Sequence, residues 1–209
     1  MISQTERAYN ILKAKIVSLE YPPGKVLREA ELIQELGIGR TPIREALQRL
    51  ARDDLVVIQP RRGMYVSEIS VTDLKQIFEA RIPIETWAAR LAAERITDVQ
   101  LAALEDAIRM AEDRHSADFV GRLMESDRLV HKIISEATNN KFLIDGVRWL
   151  YDLTARIWRL APNPAAGADE IQSQHWELLN ALRKRDPHLA YQVMERHVLD
   201  FWSQVRAQV

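Results

Sequence analysis

The sequence contains no cysteine among its 209 residues. Disulfide bonds and metal sites built on thiolates are therefore excluded. It also lacks any run of about 18 apolar residues, so no membrane-spanning helix and no membrane partner are predicted. The N-terminal residues do not have the basic and then apolar layout of a signal peptide, and we expect a cytoplasmic protein.

A strong charge of either sign is missing as well. The formal net charge is −1 at pH 7, and 47% hydrophobic with 28% charged residues is an ordinary globular composition. The N-terminal third is slightly positive and the remainder slightly negative, which fits a local basic patch better than a generally basic surface. Length and pattern predict two domains, residues 1–69 and residues 70–209.

The first domain begins with the pattern of three amphipathic helices. Apolar residues recur at helical spacing over residues 5–20 and again over residues 28–36, and Gly37 is expected to end the second helix. Thr41 is expected to cap the third helix, with Pro42 in its first turn. Two helices joined by a tight turn that contains glycine are typical of a helix-turn-helix.

A predicted β-hairpin follows these helices. Residues 56–59 and 64–66 have strand character, and the turn between them carries Arg61 and Arg62 at its tip. Three helices and a hairpin are the element order of a winged helix. The outer face of the third helix carries arginines, the side chains best suited to bind guanine edges in the major groove. A surface helix with solvated arginines is the alternative, and the basic hairpin tip disfavours it.

The segments Leu27-Arg-Glu-Ala-Glu-Leu32 and Arg40-Thr-Pro-Ile-Arg-Glu-Ala-Leu47 closely resemble the DNA-binding domain of GntR-family transcriptional regulators. The resemblance implies that Arg40 and Arg44 make the principal base contacts. It also implies that Thr41 and Arg49 contact the DNA backbone or neighbouring bases and that the wing reaches the minor groove. The residues that we expect to bind DNA are Arg28, Arg40, Thr41, Arg44, Arg49, Arg61, Arg62 and Gly63.

Three positions depart from the pattern of that family. Gly39 replaces the usual serine, and Asp54 replaces the glycine that is usual before the wing. Ala30 lies where some relatives have an arginine that contacts DNA. These departures bear on the operator sequence and the affinity, and they leave the class of protein unchanged.

The second domain has no strand pattern and predicts an all-helical bundle of six helices. Pro83 is expected to kink the first of them near Ile82, because an interior proline removes a backbone hydrogen bond. The fold class is therefore mainly α, with an N-terminal winged helix-turn-helix, a small β-hairpin wing and a C-terminal six-helix bundle. The predicted helices cover about residues 70–95, 98–111, 118–138, 142–160, 169–185 and 187 to near the C-terminus.

Four residues of the bundle have metal-binding chemistry. Asp127 and His131 are four residues apart, which places both side chains on one face of a helix. His175 and His197 lie on the last two helices, and all four residues lie on or beside apolar faces. One carboxylate and three imidazoles form a candidate site for a divalent transition metal. A single histidine on an apolar face is more often a hydrogen-bonded core residue, so the spacing alone leaves both interpretations open.

The order of further motifs is similar to the FCD ligand-binding domain of the FadR subfamily, in its shorter, VanR-like branch. These motifs include Glu79-Ala-Arg-Ile-Pro-Ile-Glu85, Asp127-x-x-x-His131 and Ala190-x-x-x-Met194-x-x-His197. The resemblance implies a divalent metal, Zn²⁺ or Ni²⁺, held by Asp127, His131, His175 and His197. It also implies that the metal binds a small organic carboxylate as the effector.

A buried carboxylate effector needs a cationic partner. Arg81 is the first candidate, because it matches the arginine of the family's first bundle helix. Arg148 and Arg156 are further candidates, and either could instead be a surface residue. Asn140 could line the effector pocket or cap a helix.

The resemblance implies a metabolite-responsive transcriptional regulator, most often a repressor in this family. Such a protein is a homodimer that binds a palindromic double-stranded DNA operator. Two other functions stay open. The protein could sense the metal directly, or it could be a metal-dependent enzyme in which the Asp/His₃ site activates water. No catalytic residue is predicted, because no positioned general base accompanies the four ligands.

Overall fold

The computed structural model of the protein describes residues 2–207. Residue contacts divide the chain into two compact units, one of residues up to Ser70 with Ala155–Arg159, the other of Val71–Thr154 with the residues from Leu160 onward. In the described part of the chain, no helix is long and apolar enough to cross a lipid bilayer. The helices and strands are α1 (Gln4–Val17), β1 (Val26–Leu27), α2 (Glu29–Leu36), α3 (Arg40–Arg52), β2 (Val56–Gln59), β3 (Gly63–Val66), α4 (Val71–Arg95), α5 (Asp98–Arg109), α6 (Phe119–Ala137), α7 (Lys141–Leu160), α8 (Ala168–Arg183) and α9 (Pro187–Arg206).

In the first unit, α3 packs its apolar face against α1 and α2. Four apolar residues at helical spacing form the inner face of α3 and are fully buried: Ile43, Ala46, Leu47 and Leu50. Gly37 has a left-handed φ of 62° and ends α2, as expected. The capping role of Thr41 is wrong, because α3 begins at Arg40 after an extended Gly39 that provides no side-chain cap. Thr41 is the second residue of the helix, and its side chain is exposed.

The predicted hairpin is part of a three-stranded antiparallel sheet with the order β1-β3-β2. Val57 pairs with Tyr65, and the hairpin closes where Gln59 pairs with Gly63. Strand β1 has only two residues, too few to show a strand pattern in the sequence. Asp54 has a positive φ of 59° just before the wing, which explains why glycine is usual at this position. Aspartate is one of the few other residues that tolerate this conformation.

The second unit is the expected bundle of six helices, α4 to α9. Helix α4 packs along α9 and α6, and α5 packs against α6 and α8. Thr97 and Gln100 form a capping box at the start of α5, and Asp186 caps α9 by accepting backbone hydrogen bonds. Helix α4 is 25 residues long and continues through Pro83, so this proline does not end the helix. The expected kink near Ile82 stays a prediction. Nearby, the hydroxyl of Thr86 donates to the carbonyl of Ile82 at 2.8 Å.

The core of this bundle contains a polar cluster. Helices in a globular core usually bury apolar side chains, and charged residues are almost never fully buried unless they are paired. Here α4 buries Arg81 and Glu85, each 1% exposed, and α6, α8 and α9 bury acid and imidazole side chains beside them. Such a cluster carries a large desolvation cost, which indicates a functional role.

Candidate metal centre and DNA-binding helix

Four buried side chains converge inside the second unit. They are Asp127 and His131 of α6, His175 of α8 and His197 of α9. Oδ1 of Asp127 lies 3.1 Å from Nε2 of His175 and 3.5 Å from Nε2 of His197. The same oxygen lies 3.6 Å from Nε2 of His131. The structure therefore brings together all four residues that the sequence pattern singled out.

Glu85 and Arg81 of α4 lie beside His131. Nδ1 of His131 contacts Oε2 of Glu85, and Nε of Arg81 donates a hydrogen bond to Oε1 of the same carboxylate. A carboxylate only accepts hydrogen bonds, so Nδ1 of His131 carries the proton in this contact. The lone pair of a neutral His131 is then on Nε2, the nitrogen that faces Asp127.

Asp127 and His197 also have partners outside the cluster. The hydroxyl of Tyr151 donates to Oδ2 of Asp127 at 2.8 Å, which leaves Oδ1 directed at the imidazoles. Nδ1 of His197 lies 3.0 Å from Oε1 of Gln174, and Nε2 of Gln174 donates to Oδ2 of Asp200 at 2.7 Å. These partners hold the ligand side chains in place before anything binds.

The donor set and its spacing fit a divalent transition metal. Nitrogen and oxygen ligands at about 2.0 to 2.2 Å from a shared ion are about 3 to 4 Å apart. Nε2 of His131 and Nε2 of His197 are 3.2 Å apart, and two facing lone pairs need a cation or a proton between them. Both ring nitrogens of His175 are buried, and neither makes a hydrogen bond with another described residue. A bound cation would satisfy Nε2 of His131, of His175 and of His197 together.

The electrostatics of the cluster favour a positive charge at its centre. Burial lowers the pKa of His131, but the negative charges of Glu85 and Asp127 outweigh burial and raise this pKa to about 9. Burial lowers the pKa of His197 to about 4, so its imidazole is neutral at pH 7. Burial raises the pKa of Asp127, but the imidazoles outweigh burial and hold this pKa well below its ordinary value. A proton on His131 therefore takes the place of a cation when none is bound.

Helix α3 of the first unit presents basic side chains to solvent. Arg40, Thr41 and Arg44 are exposed on its N-terminal half. Nε of Arg44 lies 2.9 Å from Oε1 of Glu29 on α2. Arg61 and Arg62 are exposed in the turn between β2 and β3, where Arg61 has a φ of 65°.

Two family models match the sequence. Residues 4–66 match the bacterial regulatory proteins of the gntR family, and residues 76–200 match the FCD domain. The chain belongs to the GntR family and carries an FCD domain. Proteins of this type are transcriptional regulators, so the protein is a DNA-binding regulator, and the enzyme alternative is excluded.

Known GntR regulators resemble the protein over nearly its whole length. The HTH-type transcriptional repressor RspR of Escherichia coli (strain K12) is 29% identical over 204 residues, 96% of this chain and 88% of RspR. The structure of E. coli McbR/YncC has a TM-score of 0.87 at 25% identity and covers 100% of this chain and 99% of its own. A GntR regulator from Rhodococcus sp. RHA1 has the same fold, with a TM-score of 0.81 at 20% identity and full coverage of both chains.

Besides Arg44, two more of the predicted DNA-binding arginines have protein partners in this GntR regulator. The guanidinium of Arg49 lies 3.7 Å from the ring centroid of Tyr9 and donates to Oε2 of Glu6 at 2.6 Å, so it links α3 to α1. Arg28 lies just before α2 and forms an ion pair with Glu31 at 2.8 Å, and both side chains are exposed. Arg49 therefore has a structural contact to lose if it turns towards DNA, whereas Arg28 can rearrange at little cost.

The four candidate effector residues lie in different surroundings. Arg81 is buried beside Glu85 and next to the metal ligands. Asn140 caps α7, because its Oδ1 accepts from the backbone N–H of Phe142 at 3.1 Å. Arg148 is exposed and pairs with Asp145. Arg156 is buried in the first unit, where it donates to Oγ of Ser67 at 2.9 Å. Only Arg81 lies in the polar cluster.

The sequence pattern did not indicate Glu85, Tyr151, Gln174 or Asp200 as partners of the four ligands. Gln174 directly precedes His175, and Asp200 follows His197 by three residues, which is a neighbouring position on a helix. The three-residue spacing of His197 and Asp200 was therefore a signal in the sequence that the two side chains lie close together. No spacing connects Tyr151 with Asp127, because helix packing brings α7 and α6 together.

Proposed function

We propose that this GntR regulator is a homodimeric repressor, controlled by a small organic carboxylate that binds at a divalent metal held by the FCD domain. It acts in the bacterial cytoplasm on a palindromic operator. The observation that carries the proposal is the convergence of four buried ligand atoms, all within 4.8 Å of one another. Each of three ligands has a partner that orients it, and the fourth has unsatisfied nitrogens. A core that only had to be stable would not retain such a cluster.

Asp127, His131, His175 and His197 would hold the ion. Three imidazole nitrogens and one carboxylate oxygen suit Zn²⁺ or Ni²⁺, and six-coordinate binding would leave positions for effector oxygens. A bound divalent cation supplies a Lewis acid that attracts the carboxylate of the effector.

Arg81 is the best candidate for the cationic partner of the effector. It is buried in the second unit, its ring neighbours include Tyr151 at 5.7 Å, and Glu85 already neutralises its charge. The effector would therefore share Arg81 with Glu85. Asn140, Arg148 and Arg156 are weaker candidates, because each already has the local partner described above.

The DNA-binding side of the proposal rests on α3. Arg40 and Arg44 would contact guanine edges in the major groove, and the exposed wing arginines would contact the neighbouring minor groove. The name of RspR, a transcriptional repressor, supports repression here. An effector controls such a protein only by binding one helical arrangement more tightly than another.

Zinc and nickel binding by the purified protein tests the metal centre directly. Wild-type protein should bind about one equivalent of Zn²⁺ or Ni²⁺ per chain, and His175→Ala should lose most of the affinity. His188→Ala is the matched control, because His188 is an exposed histidine of the same unit. Equal metal binding by wild type and His175→Ala would overturn the proposed centre.

Operator release separates effector control from direct metal sensing. In a gel-shift assay with the native operator, the metal-loaded protein should stay bound when the organic acid is absent and should release DNA when it is added. Release on treatment with a chelator alone would instead identify the ion as the signal. Release by neither treatment would overturn control through this site.

A further inference from the structure

Three side chains connect α8 and α9 beside the polar cluster. Oδ2 of Asp200 accepts from Nε2 of Gln174 at 2.7 Å, and Oε1 of Gln174 lies 3.0 Å from Nδ1 of His197. Gln174 is 2% exposed and His197 is 3% exposed, so water does not compete freely for these hydrogen bonds. These side chains form a hydrogen-bonded series in the order carboxylate (Asp200), amide (Gln174) and imidazole (His197).

We propose that Gln174 is a positioning residue that holds the proton of His197 on Nδ1 and so leaves the lone pair of Nε2 directed at the metal centre. The inference rests on the metal centre of the proposed function and assigns a role to a residue outside the ligand set. Asp200 acts through Gln174, because it fixes which end of the amide points at the imidazole.

The direction of each hydrogen bond follows from the chemistry of the groups. A carboxylate has no proton to donate, so the NH₂ end of Gln174 must face Asp200. The carbonyl end then faces His197, and a carbonyl oxygen only accepts. Nδ1 of His197 must therefore carry the proton, which leaves the lone pair on Nε2. This nitrogen lies 3.5 Å from Oδ1 of Asp127 and 3.2 Å from Nε2 of His131.

The same outcome is reached at His131 with a different group. There the acceptor at Nδ1 is the carboxylate of Glu85. The core around the centre already contains the carboxylates of Glu85 and Asp127, so a third one would add a further buried charge. A neutral amide orients His197 without that charge. With Asp200 in place, a glutamine at position 174 can also donate to that carboxylate, whereas a glutamate would place two like charges in contact.

The position of the proton can be measured in the wild-type protein without any substitution. Long-range ¹H–¹⁵N correlation spectra of the metal-free chain distinguish a protonated from an unprotonated imidazole nitrogen. We expect Nδ1 of His197 to be protonated and Nε2 to be unprotonated near pH 7. A protonated Nε2 and an unprotonated Nδ1 in His197 would overturn the inference.

Substitutions then test the consequence for Zn²⁺ affinity, measured by competition with a chromophoric chelator. Gln174→Met keeps the length of the side chain but removes both hydrogen bonds, and it should weaken Zn²⁺ binding by about 10- to 100-fold. Gln172→Met is the matched control on the same helix. Gln172 donates its buried amide to the carbonyl of Ile108 at 2.8 Å, so its loss should leave Zn²⁺ affinity within about 3-fold.

A double variant reverses the chain of hydrogen bonds while keeping the acceptor. In Gln174→Glu with Asp200→Asn, the new amide donates to the new carboxylate, which still accepts from Nδ1 of His197. This pair should restore most of the affinity that Gln174→Met loses. Equal loss in Gln174→Met and Gln172→Met, or no loss in either, would overturn the inference.

The failure of the inference is distinguishable from failure of the metal centre. If wild-type protein binds no Zn²⁺ or Ni²⁺, the proposed centre fails, and this inference fails with it. If wild type binds Zn²⁺ and Gln174→Met binds it equally well, the centre stands and only the role of Gln174 is wrong.

Discussion

Arg44 of α3 forms an ion pair with Glu29 of α2, in which Nε lies 2.9 Å from Oε1. The pair connects the two helices of the helix-turn-helix at the face expected to meet DNA. It favours one orientation of an otherwise flexible, exposed side chain before DNA binds.

Glu29→Gln tests whether this orientation contributes to sequence reading. Removing a negative charge beside DNA should strengthen sequence-independent binding, because phosphate contacts dominate that affinity. Operator binding should gain less or should weaken, so the ratio of specific to non-specific affinity falls. Titrations against operator and random DNA at one salt concentration measure this ratio. A ratio equal to that of wild type would rule out the orienting role.

Arg44→Ala and Arg49→Ala should affect different properties, operator binding in the first variant and folding stability in the second. Arg44→Ala should abolish operator binding and leave stability nearly unchanged, because its exposed ion pair contributes little. Arg49→Ala should instead lower stability by about 1 kcal/mol, since it removes the contact with the Tyr9 ring. Gel-shift and urea unfolding assays separate the two. Wild-type operator affinity in Arg44→Ala would contradict the base-contact assignment.

Glu85→Gln should strongly destabilise the helical bundle. Arg81 is 1% exposed, and Glu85 is the carboxylate that pairs with it, so the substitution leaves a buried charge uncompensated. Breaking such a pair costs about 3 kcal/mol or more. Glu79→Gln on the same helix is the control, because Glu79 is exposed and lies 3.7 Å from Lys75. Chemical denaturation of both variants should show a loss in Glu85→Gln alone.

Tyr21 and Glu35 should make the stability of the first unit depend on acid pH. The phenol of Tyr21 donates to Oε2 of Glu35 at 2.6 Å, and this bond, with Lys15, lowers the pKa of Glu35 below its ordinary 4.5. A lowered carboxyl pKa stabilises the fold above pH 4.5, and this contribution is lost as the pH falls further. Tyr21→Phe should move the pKa of Glu35, followed by NMR, back towards 4.5. Tyr65→Phe is the control, because its hydroxyl donates to the carbonyl of Arg62 instead.

Local patterns were sufficient for most of the fold. The inner face of α3, the caps of α5 and α9 and the glycine that ends α2 depend on residues only a few positions apart. They were therefore readable from spacing. The start of α3 was misplaced by two residues, because an extended Gly39 precedes the helix without offering a side-chain cap. Strand β1 was missed, because its two residues become a strand only by pairing with β3.

The sequence by itself determined the class of the protein and the four candidate ligands. Helical spacing placed Asp127 beside His131, and the types of side chain limited what they could bind. Only the tertiary structure decided that His175 and His197 meet this pair, because helix packing brings together residues that are far apart in the chain. Packing also decided that Glu85, Tyr151 and Gln174 orient the ligands, and that Arg49 lies against α1. Hydrogen bonds between helices have no period in the sequence, so no spacing rule could predict them.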